Sequence, residues 1–254
     1  MSESRPSISF DRVADAYDRT RGGEARGEHY ASVIAPLLDS KATTLEIGIG
    51  TGLVAGALAR RGFDVLGADI SEAMAARARD RLGGRVVVGD ARRLPFLDRS
   101  IPQAYSVWVL HVVGDVQAAL GEVGRVLAPG GRYVVAPGLA DQPSDEVGRR
   151  IHDLERALDP ERRRDDSVER LTALAPAAGL TVADVVPHSW EFRESPHDVA
   201  RKLEERTCSF LWDVDPGRWG QIVVPLVEWL RALPDAERPI LRRVDGRLVV
   251  LRRE

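Results

Sequence analysis

The sequence predicts an α/β fold built on a mostly parallel, seven-stranded sheet with helices on both faces. Two observations lead to this prediction. Short apolar runs, which are typical of strands buried on both faces, alternate with segments of helical periodicity between residues 43 and 138. The segments between successive runs are long enough for the right-handed crossover that joins two parallel strands.

The elements follow one another regularly after an N-terminal helical stretch over residues 8–38. Ser71 and Glu72 are placed to begin the second helix of the alternating part, and the run Ala128–Gly131 ends the third. We expect, in order, strand 43–47, helix 53–62, strand 63–69, helix 72–82, strand 85–90, strand 104–113, helix 115–127 and strand 132–138.

The pattern loosens after Gly138, where residues 141–167 are polar and rich in charge. The stretch 159–166 predicts a solvated charged loop rather than a binding patch. Further on we expect helix 167–179, strand 181–192, helices over 196–233 with a break around Asp215–Gly217, and a last strand over 247–254. We interpret the chain as one domain (1–254) with a helical lid (1–38), a ligand-binding core (41–138), a helical insertion or cap (139–235) and a final strand region (236–254).

Composition narrows the classes of protein to consider. The chain has 254 residues with 44% hydrophobic residues, an ordinary globular balance, and its net charge of -3 offers nucleic acid no basic excess. Its single cysteine, Cys208, excludes an internal disulfide framework and favours a reducing compartment. We find neither a signal peptide nor an apolar run long enough to span a membrane. We therefore expect a cytoplasmic protein without a nucleic-acid or membrane partner.

Three glycines, Gly48, Gly50 and Gly52, follow the first strand at alternate positions and indicate a loop that lets a ligand approach the backbone. Their spacing departs from the dinucleotide fingerprint, and no phosphate-binding P-loop pattern occurs. Asp69, at the end of the second strand, lies at the right distance for a ribose diol. That acid alone does not separate one nucleotide from another, but the loop favours a nucleoside without a pyrophosphate.

The run from Glu46 to Gly52 resembles motif I of the class I S-adenosylmethionine-dependent methyltransferases. The resemblance continues through LGADIS (66–71), VVGDARRLPF (87–96), SVWVLHVV (106–113) and LAPGGRYVV (127–135), and more weakly through the lid motif AYDRTRG (16–22). The chain is most similar to the subgroup that acts on small molecules (methyltransferase type 11, UbiE-like). The resemblance implies a Rossmann-like fold and S-adenosylmethionine as the cofactor, with S-adenosylhomocysteine as the product.

The resemblance also implies roles for individual residues. Asp69 should accept both ribose hydroxyls, Glu46 should reach the amino group of the ligand, and Arg21 should pair with its carboxylate. Asp90 or its neighbours should meet the adenine edge. The expected cofactor-binding residues are Tyr17, Arg21, Glu46, Gly48, Gly50, Thr51, Gly52, Asp69, Ile70, Met74, Gly89, Asp90, Ala91, Arg92 and Val107.

His111 is the first candidate for a general base, because SVWVLH should bring it to the carboxyl end of strand four. The alternative is that it hydrogen-bonds locally to shape the loop. His29, in the helical lid, is the weaker candidate. No three histidines show metal-ligand spacing, so we expect no metal.

Aromatic residues crowd the region 139–235 and favour a small apolar or aromatic acceptor, such as a secondary metabolite. The sequence leaves open whether oxygen, nitrogen or carbon is methylated, and whether the protein is a monomer or a homodimer. An alternative is an enzyme of the same fold that catalyses another step, such as a cyclisation. The run Ser106–Leu110 lacks the Asn/Asp-Pro-Pro-aromatic motif, which argues against nucleic-acid methylation.

Overall fold

The computed structural model describes residues 8, 10–138, 145–159 and 166–254. The chain folds as two compact units. The core unit comprises residues 1–139, 164–188 and 246–254, and the inserted unit comprises residues 140–163 and 189–245. That division does not test the interpretation of the chain as a single domain, which stays a prediction.

The strands form one seven-stranded sheet in the order β3-β2-β1-β4-β5-β7-β6. Strands β1 to β5 pair in parallel, whereas β7 runs antiparallel to β5, so the mostly parallel sheet is confirmed. The strands are β1 (Thr44–Ile47), β2 (Val65–Asp69), β3 (Val86–Val88), β4 (Ile101–Val107), β5 (Leu127–Ala136), β6 (Leu180–Glu194) and β7 (Ile240–Arg253).

Ten α-helices lie in the described residues, with short 3-10 turns between some of them. Two apolar clusters pack against the sheet of the core unit. The helices are α1 (Ala14–Thr20), α2 (Gly23–Ile34), α3 (Leu53–Arg60), α4 (Glu72–Leu82), α5 (Val116–Val126), α6 (Glu146–Leu158), α7 (Val168–Leu174), α8 (Pro196–Glu204), α9 (Pro216–Arg218) and α10 (Val224–Ala232).

Side-chain caps fix the starts of the two helices that flank the central strands. The Ser71 hydroxyl accepts a hydrogen bond from the backbone N–H of Met74 at 3.1 Å, and α4 has the bounds that the sequence predicts. The Asp115 carboxylate accepts from the N–H of Ala118 at 3.0 Å and begins α5 in the same way. Local capping therefore determines the residue at which each helix begins.

The fourth strand differs from its prediction. We expected it to reach residue 113, but β4 ends at Val107 and a 3-10 turn covers Leu110–Val112. The cause lies at Trp108, whose φ of +59° is incompatible with an extended backbone. His111 therefore lies in a turn beyond the strand, and not at the end of the strand itself.

The inserted unit contains a helix that we did not predict. In α6 the apolar residues Val147, Leu154 and Leu158 are buried on one face, but the charged residues between them hid the pattern. The unit has its own apolar cluster, in which α6 packs with α8 and α10. The predicted charged loop at 159–166 lies mostly outside the described residues.

The helix break that we expected around Asp215–Gly217 is present but lies slightly earlier, because Pro216 already begins the next helix. Pro216 occupies the first turn of α9, and the Asp215 carboxylate accepts hydrogen bonds from the N–H groups of Gly217 and Arg218, both at 3.0 Å. The real break precedes this cap, over residues 205–215, where only a 3-10 turn forms. Within the described residues, no helix combines the length and the apolar character that crossing a bilayer requires.

Candidate functional site

The loop between β1 and α3 adopts a backbone that only glycine accommodates easily. The φ angles of Gly48, Gly50 and Gly52 are +68°, +56° and +80°. A Cβ atom on Gly48 would lie 2.4 Å from a methyl carbon of Val109. The N–H groups of Gly48 and Ile49 both donate to the carbonyl of Ala68, at 2.8 and 3.0 Å. Gly48 therefore allows the segment that follows β4 to approach the loop closely.

A cavity of about 650 Å³ opens at this loop, at the carboxyl ends of β1, β2 and β4. This is where ligands bind in open parallel sheets. Ten of the fifteen residues that we expected to bind the cofactor line it: Tyr17, Gly48, Gly50, Asp69, Ile70, Met74, Gly89, Asp90, Ala91 and Val107.

Asp69 lines the cavity and also holds the glycine loop. Its carboxylate accepts from the N–H of Gly50 at 2.7 Å and from the N–H of Ser71 at 2.9 Å. Burial raises the pKa of Asp69, and these two hydrogen bonds oppose that rise. The same carboxylate can therefore organise the loop and present acceptor oxygen to a ligand hydroxyl.

Asp90 lines the cavity with Ala91, whereas Arg92 does not. The guanidinium of Arg92 contacts the Asp90 carboxylate, with 2.7 Å between Nη2 and Oδ2, and the Arg92 N–H donates to Oδ1 at 2.8 Å. Arg92 therefore restrains the carboxylate, and its expected place at the adenine stays untested.

Glu46 is buried behind the loop and does not line the cavity. It accepts a hydrogen bond of 2.8 Å from the phenol of Tyr105, its register partner on β4. Burial raises the pKa of Glu46 to about 8, although the bonds from Tyr105 and from the N–H of Ala55 oppose the rise. Glu46 would therefore reach a ligand only indirectly, through the intervening backbone or a water molecule.

Three other expected residues, Thr51, Gly52 and Arg21, also lie outside the lining. The Thr51 hydroxyl donates to the Asp18 carboxylate at 2.5 Å, and the Thr51 carbonyl accepts from Arg81 at 2.6 Å. These bonds tie the loop to α1 and α4. Arg21 forms the C-cap of α1.

The N-terminal segment contributes two lining residues that sequence analysis missed, Ile8 and Phe10. The N–H of Ile8 donates to the carbonyl of Val112 at 3.0 Å, and the ring of Phe10 meets that of Tyr17 edge to face at 6.0 Å. Both positions precede any recognisable motif, so no local signal marks them.

A third missed lining residue is Trp108, whose indole donates to the Tyr30 hydroxyl at 2.9 Å. Beside it lies Arg26, which is only 5% exposed. The Arg26 guanidinium carbon lies 4.6 Å from the ring centroid of Trp108 and 5.2 Å from that of Tyr17. Nothing in the helical pattern around Arg26 distinguishes it from a surface arginine.

His111 does not line the cavity. Its ring packs on the backbone of Gly138, where a Cβ atom would lie 2.2 Å from the imidazole. The Nδ1 atom is 3.5 Å from the Asp166 carboxylate, which is fully buried and accepts from the N–H of Gly138 at 2.7 Å. The structure therefore brings a carboxylate beside the imidazole that the sequence proposed as a base.

His29 also lies outside the lining, and it pairs with His188 at 3.2 Å between Nε2 and Nδ1. Burial, and then the neighbouring His188, lower the pKa of His29 to about 4. The imidazole of His29 is therefore neutral near pH 7 and packs against Tyr30.

Comparison with known proteins agrees with this geometry. The model of a methyltransferase domain family matches residues 45–135. The demethylmenaquinone methyltransferase of Tropheryma whipplei (strain Twist) is 38% identical over 136 residues, which cover 50% of this chain and 56% of that protein. The chain therefore matches little more than half of the length of this curated relative.

Solved structures share the fold. A SAM-dependent methyltransferase from Thermotoga maritima superposes with a TM-score of 0.59 at 22% identity, covering 96% of this chain and 97% of that one. The (4+2)-cyclase SpnF superposes with a TM-score of 0.56 at 19% identity, covering 100% of this chain and 99% of that one. At these identities the likeness establishes the fold alone.

Proposed function

We propose that the chain is a class I, S-adenosylmethionine-dependent methyltransferase that methylates a small-molecule acceptor, because its residues 45–135 match a methyltransferase domain family. The observation that supports the proposal best is the cavity, where Asp69 faces a loop with three glycines at positive φ. Met74 and Ala91 also line this cavity and offer apolar surface to an adenine.

The residues present fit the cofactor. The positive φ angles of Gly48 and Gly50 turn the loop so that both residues line the cavity with backbone alone. Asp69 offers carboxylate oxygen at the place where a ribose diol is expected, and α3 presents its amino end beside the loop. When bound, S-adenosylmethionine supplies a methyl group that its sulfonium has already activated.

The chain's remaining tasks are alignment, exclusion of water and acceptance of a proton. Ile8, Phe10 and Val112 give the cavity an apolar wall that keeps water from the acceptor. His111 lies in the same 3-10 turn as the lining residue Val112, and we propose it as the group that takes the acceptor's proton on its Nε2, with the Asp166 carboxylate 3.5 Å from its Nδ1. His29, neutral beside His188, is the second candidate for this role.

A small acceptor suits the chain better than a nucleic acid, because the net charge of -3 provides no general attraction for phosphates. The Tropheryma relative is named for demethylmenaquinone, so quinols and phenols are the first acceptors to test. The aromatic residues of the inserted unit, which include the stacked pair Trp190 and Phe192, are consistent with an apolar or aromatic acceptor.

A second candidate function is a SAM-binding enzyme that catalyses a cyclisation. The similarity of the fold to that of the cyclase SpnF is the observation that supports this second candidate. The two functions differ in whether the methyl group leaves the cofactor.

The test begins with calorimetric titration of the protein with S-adenosylmethionine and S-adenosylhomocysteine. A panel of quinols, phenols and amines is then incubated with the protein and methyl-labelled cofactor. Methyl transfer predicts labelled acceptor and an equal amount of S-adenosylhomocysteine. Binding of the cofactor with an acceptor that is altered but unlabelled would favour the cyclisation, and absence of binding to folded protein would contradict both functions.

A further inference from the structure

Two histidines from different elements meet within the core unit. His29 is on α2 and His188 is on β6, and the Nε2 atom of His29 lies 3.2 Å from the Nδ1 atom of His188. Both residues are half-buried, so each keeps part of its surface in contact with solvent. The pair therefore combines two closely spaced ring nitrogens with access for small dissolved ions.

Neighbouring residues hold the two rings in place. The ring centroid of Tyr30 lies 5.2 Å from that of His29 and 5.5 Å from that of His188, both edge to face. The Tyr30 hydroxyl accepts the indole hydrogen bond of Trp108, which fixes the ring between them. A Cβ atom on Gly246 would lie 2.9 Å from the Nε2 of His188, so the glycine leaves room for that imidazole. The separation of the two histidines is therefore set by packing.

That separation matches the distance between two ligands of one metal ion. Zinc–nitrogen bonds are about 2.0–2.1 Å long, so two imidazole nitrogens on a tetrahedral zinc ion lie about 3.3 Å apart. A hydrogen bond between neutral imidazoles uses the N–H of one ring, whereas a metal ion needs a lone pair on both nitrogens. The donor ring meets this need by moving its proton to its other nitrogen, which is a change of tautomer without net release of a proton.

The charge state of the pair also suits a cation. Burial, and then the neighbouring His188, lower the pKa of His29 to about 4, and the neutral imidazole is the form that binds metal ions. In the part of the chain that the structure describes, no third His, Cys, Asp or Glu joins the pair, so water would complete the coordination. Two protein ligands predict weak, exchangeable binding, which differs from a resident metal cofactor.

We propose that His29 and His188 form a two-ligand site for a divalent transition metal, with zinc as the first ion to test. Imidazole ligands favour zinc, copper and nickel over calcium and magnesium. An ion held by both histidines would join α2 to β6, and α2 also carries Tyr30, which supports Trp108 at the wall of the cavity. The inference goes beyond the proposed function and does not depend on it, because neither histidine lines the cavity.

Calorimetric titration of the untagged, chelator-treated chain with zinc chloride near neutral pH tests the site. We expect one bound ion per chain with a Kd of about 1–100 μM, weaker than the closed sites of structural zinc. His29→Gln and His188→Gln should each raise that Kd by at least about tenfold, because each removes one of the two nitrogen ligands. The matched control is His152→Gln, which changes a half-buried histidine on α6 of the inserted unit and should bind zinc like the wild type.

A second measurement uses the wild type alone and does not depend on the folding of a variant. Diethyl pyrocarbonate acylates the imidazole nitrogen that carries a lone pair, and a coordinated nitrogen has none to offer. Zinc should therefore slow the acylation of His29 and His188, read by peptide mass spectrometry, and leave that of His152 unchanged. Thermal melting without zinc checks that the two glutamine variants are folded, since glutamine keeps a hydrogen-bonding group at each position.

The opposite results would overturn the inference. They are a wild type that binds no zinc below about 1 mM, folded variants of both His29 and His188 that bind zinc like the wild type, or acylation of the pair at the same rate with and without zinc. Zinc binding that is lost in His152→Gln would place the ion elsewhere. All these results are obtained without S-adenosylmethionine, so a failure of the metal site is distinct from a failure of the proposed function.

Discussion

Tyr105 donates a hydrogen bond of 2.8 Å to Glu46 across the parallel strands β4 and β1, and both side chains are buried. Burial raises the pKa of Glu46 to about 8 and that of Tyr105 well above its ordinary range. A polar pair that is uncharged near neutral pH therefore lies beneath the glycine loop, one layer behind the cavity.

This pair predicts a pH dependence of stability with a definite sign. Below about pH 4.5, the ordinary pKa of the carboxyl, Glu46 is protonated in both the folded and the unfolded chain. Its contribution to the free energy of unfolding is then complete. Between about 4.5 and 8 the unfolded chain releases the proton first, so the free energy of unfolding falls as pH rises. The slope is at most about 1.4 kcal/mol per pH unit and levels off above about pH 8.

Urea unfolding of the wild type and of Glu46→Gln between about pH 4.5 and 9, a range that spans the window above, measures this contribution to the free energy of unfolding. The amide cannot ionise but can still accept from Tyr105, so we expect the difference in stability between the two proteins to shift in favour of the variant as pH rises. Other titrating groups cancel in that difference. Parallel curves would show that Glu46 ionises normally in the folded protein.

Gly48→Ala should be the most damaging alanine substitution in the loop. It combines a positive φ with a Cβ atom 2.4 Å from Val109, and we expect a loss of about 2–4 kcal/mol in the free energy of unfolding. Gly62→Ala has a positive φ without a close neighbour and should cost about 1–2 kcal/mol.

Gly84→Ala is the matched control, because it has neither feature and should change stability by less than about 1 kcal/mol. Urea denaturation of the three variants gives the ranking. Equal losses of unfolding free energy in Gly48→Ala and Gly84→Ala would mean that the loop adjusts to the added methyl group without a further loss of stability.

Asp69→Asn should weaken the binding of S-adenosylhomocysteine by about 10-fold to 100-fold, because charge-assisted hydrogen bonds to the ribose are lost. The amide keeps one acceptor oxygen for the N–H of Gly50 or Ser71, so most of the fold should survive. Asp64→Asn, just before the amino end of β2, is the control in calorimetric titration. Unchanged affinity in Asp69→Asn would remove Asp69 from the ligand site.

The proposed base predicts a separation of kcat from cofactor binding. We expect His111→Ala to lower kcat by about 10²-fold to 10⁴-fold at unchanged affinity for S-adenosylhomocysteine. Asp166→Asn, which disturbs the orientation of the ring, should lower kcat by a smaller factor. Steady-state kinetics with an accepted quinol or phenol provide the measurement.

His29→Ala tests the second candidate for the base in the same assay. A loss of kcat in His29→Ala, with normal turnover in His111→Ala, would transfer the role of base to the pair of His29 and His188.

The sequence predicted those parts of the site whose conformation depends only on residues that are neighbours along the chain. Glycine is the residue type that favours a positive φ, so the loop glycines indicated that conformation. The Ser71 cap was recognisable because it directly precedes the helix that it begins. The lining by Asp69 followed from its place at the end of a strand. Arg21 failed to line the cavity because the lid motif fixes a helix but does not fix which of its arginines turns inward.

The sequence by itself determined the parallel sheet, the order of its first five strands along the chain and the position of the glycine loop. Those features depend on periodicity and backbone conformation, which neighbouring residues express locally. Only the tertiary structure decided that Tyr105 meets Glu46, that Asp166 meets His111 and that Arg26 is buried behind Trp108. These contacts join residues on different elements, and the packing of the elements, rather than any local pattern, fixes which side chains are desolvated together.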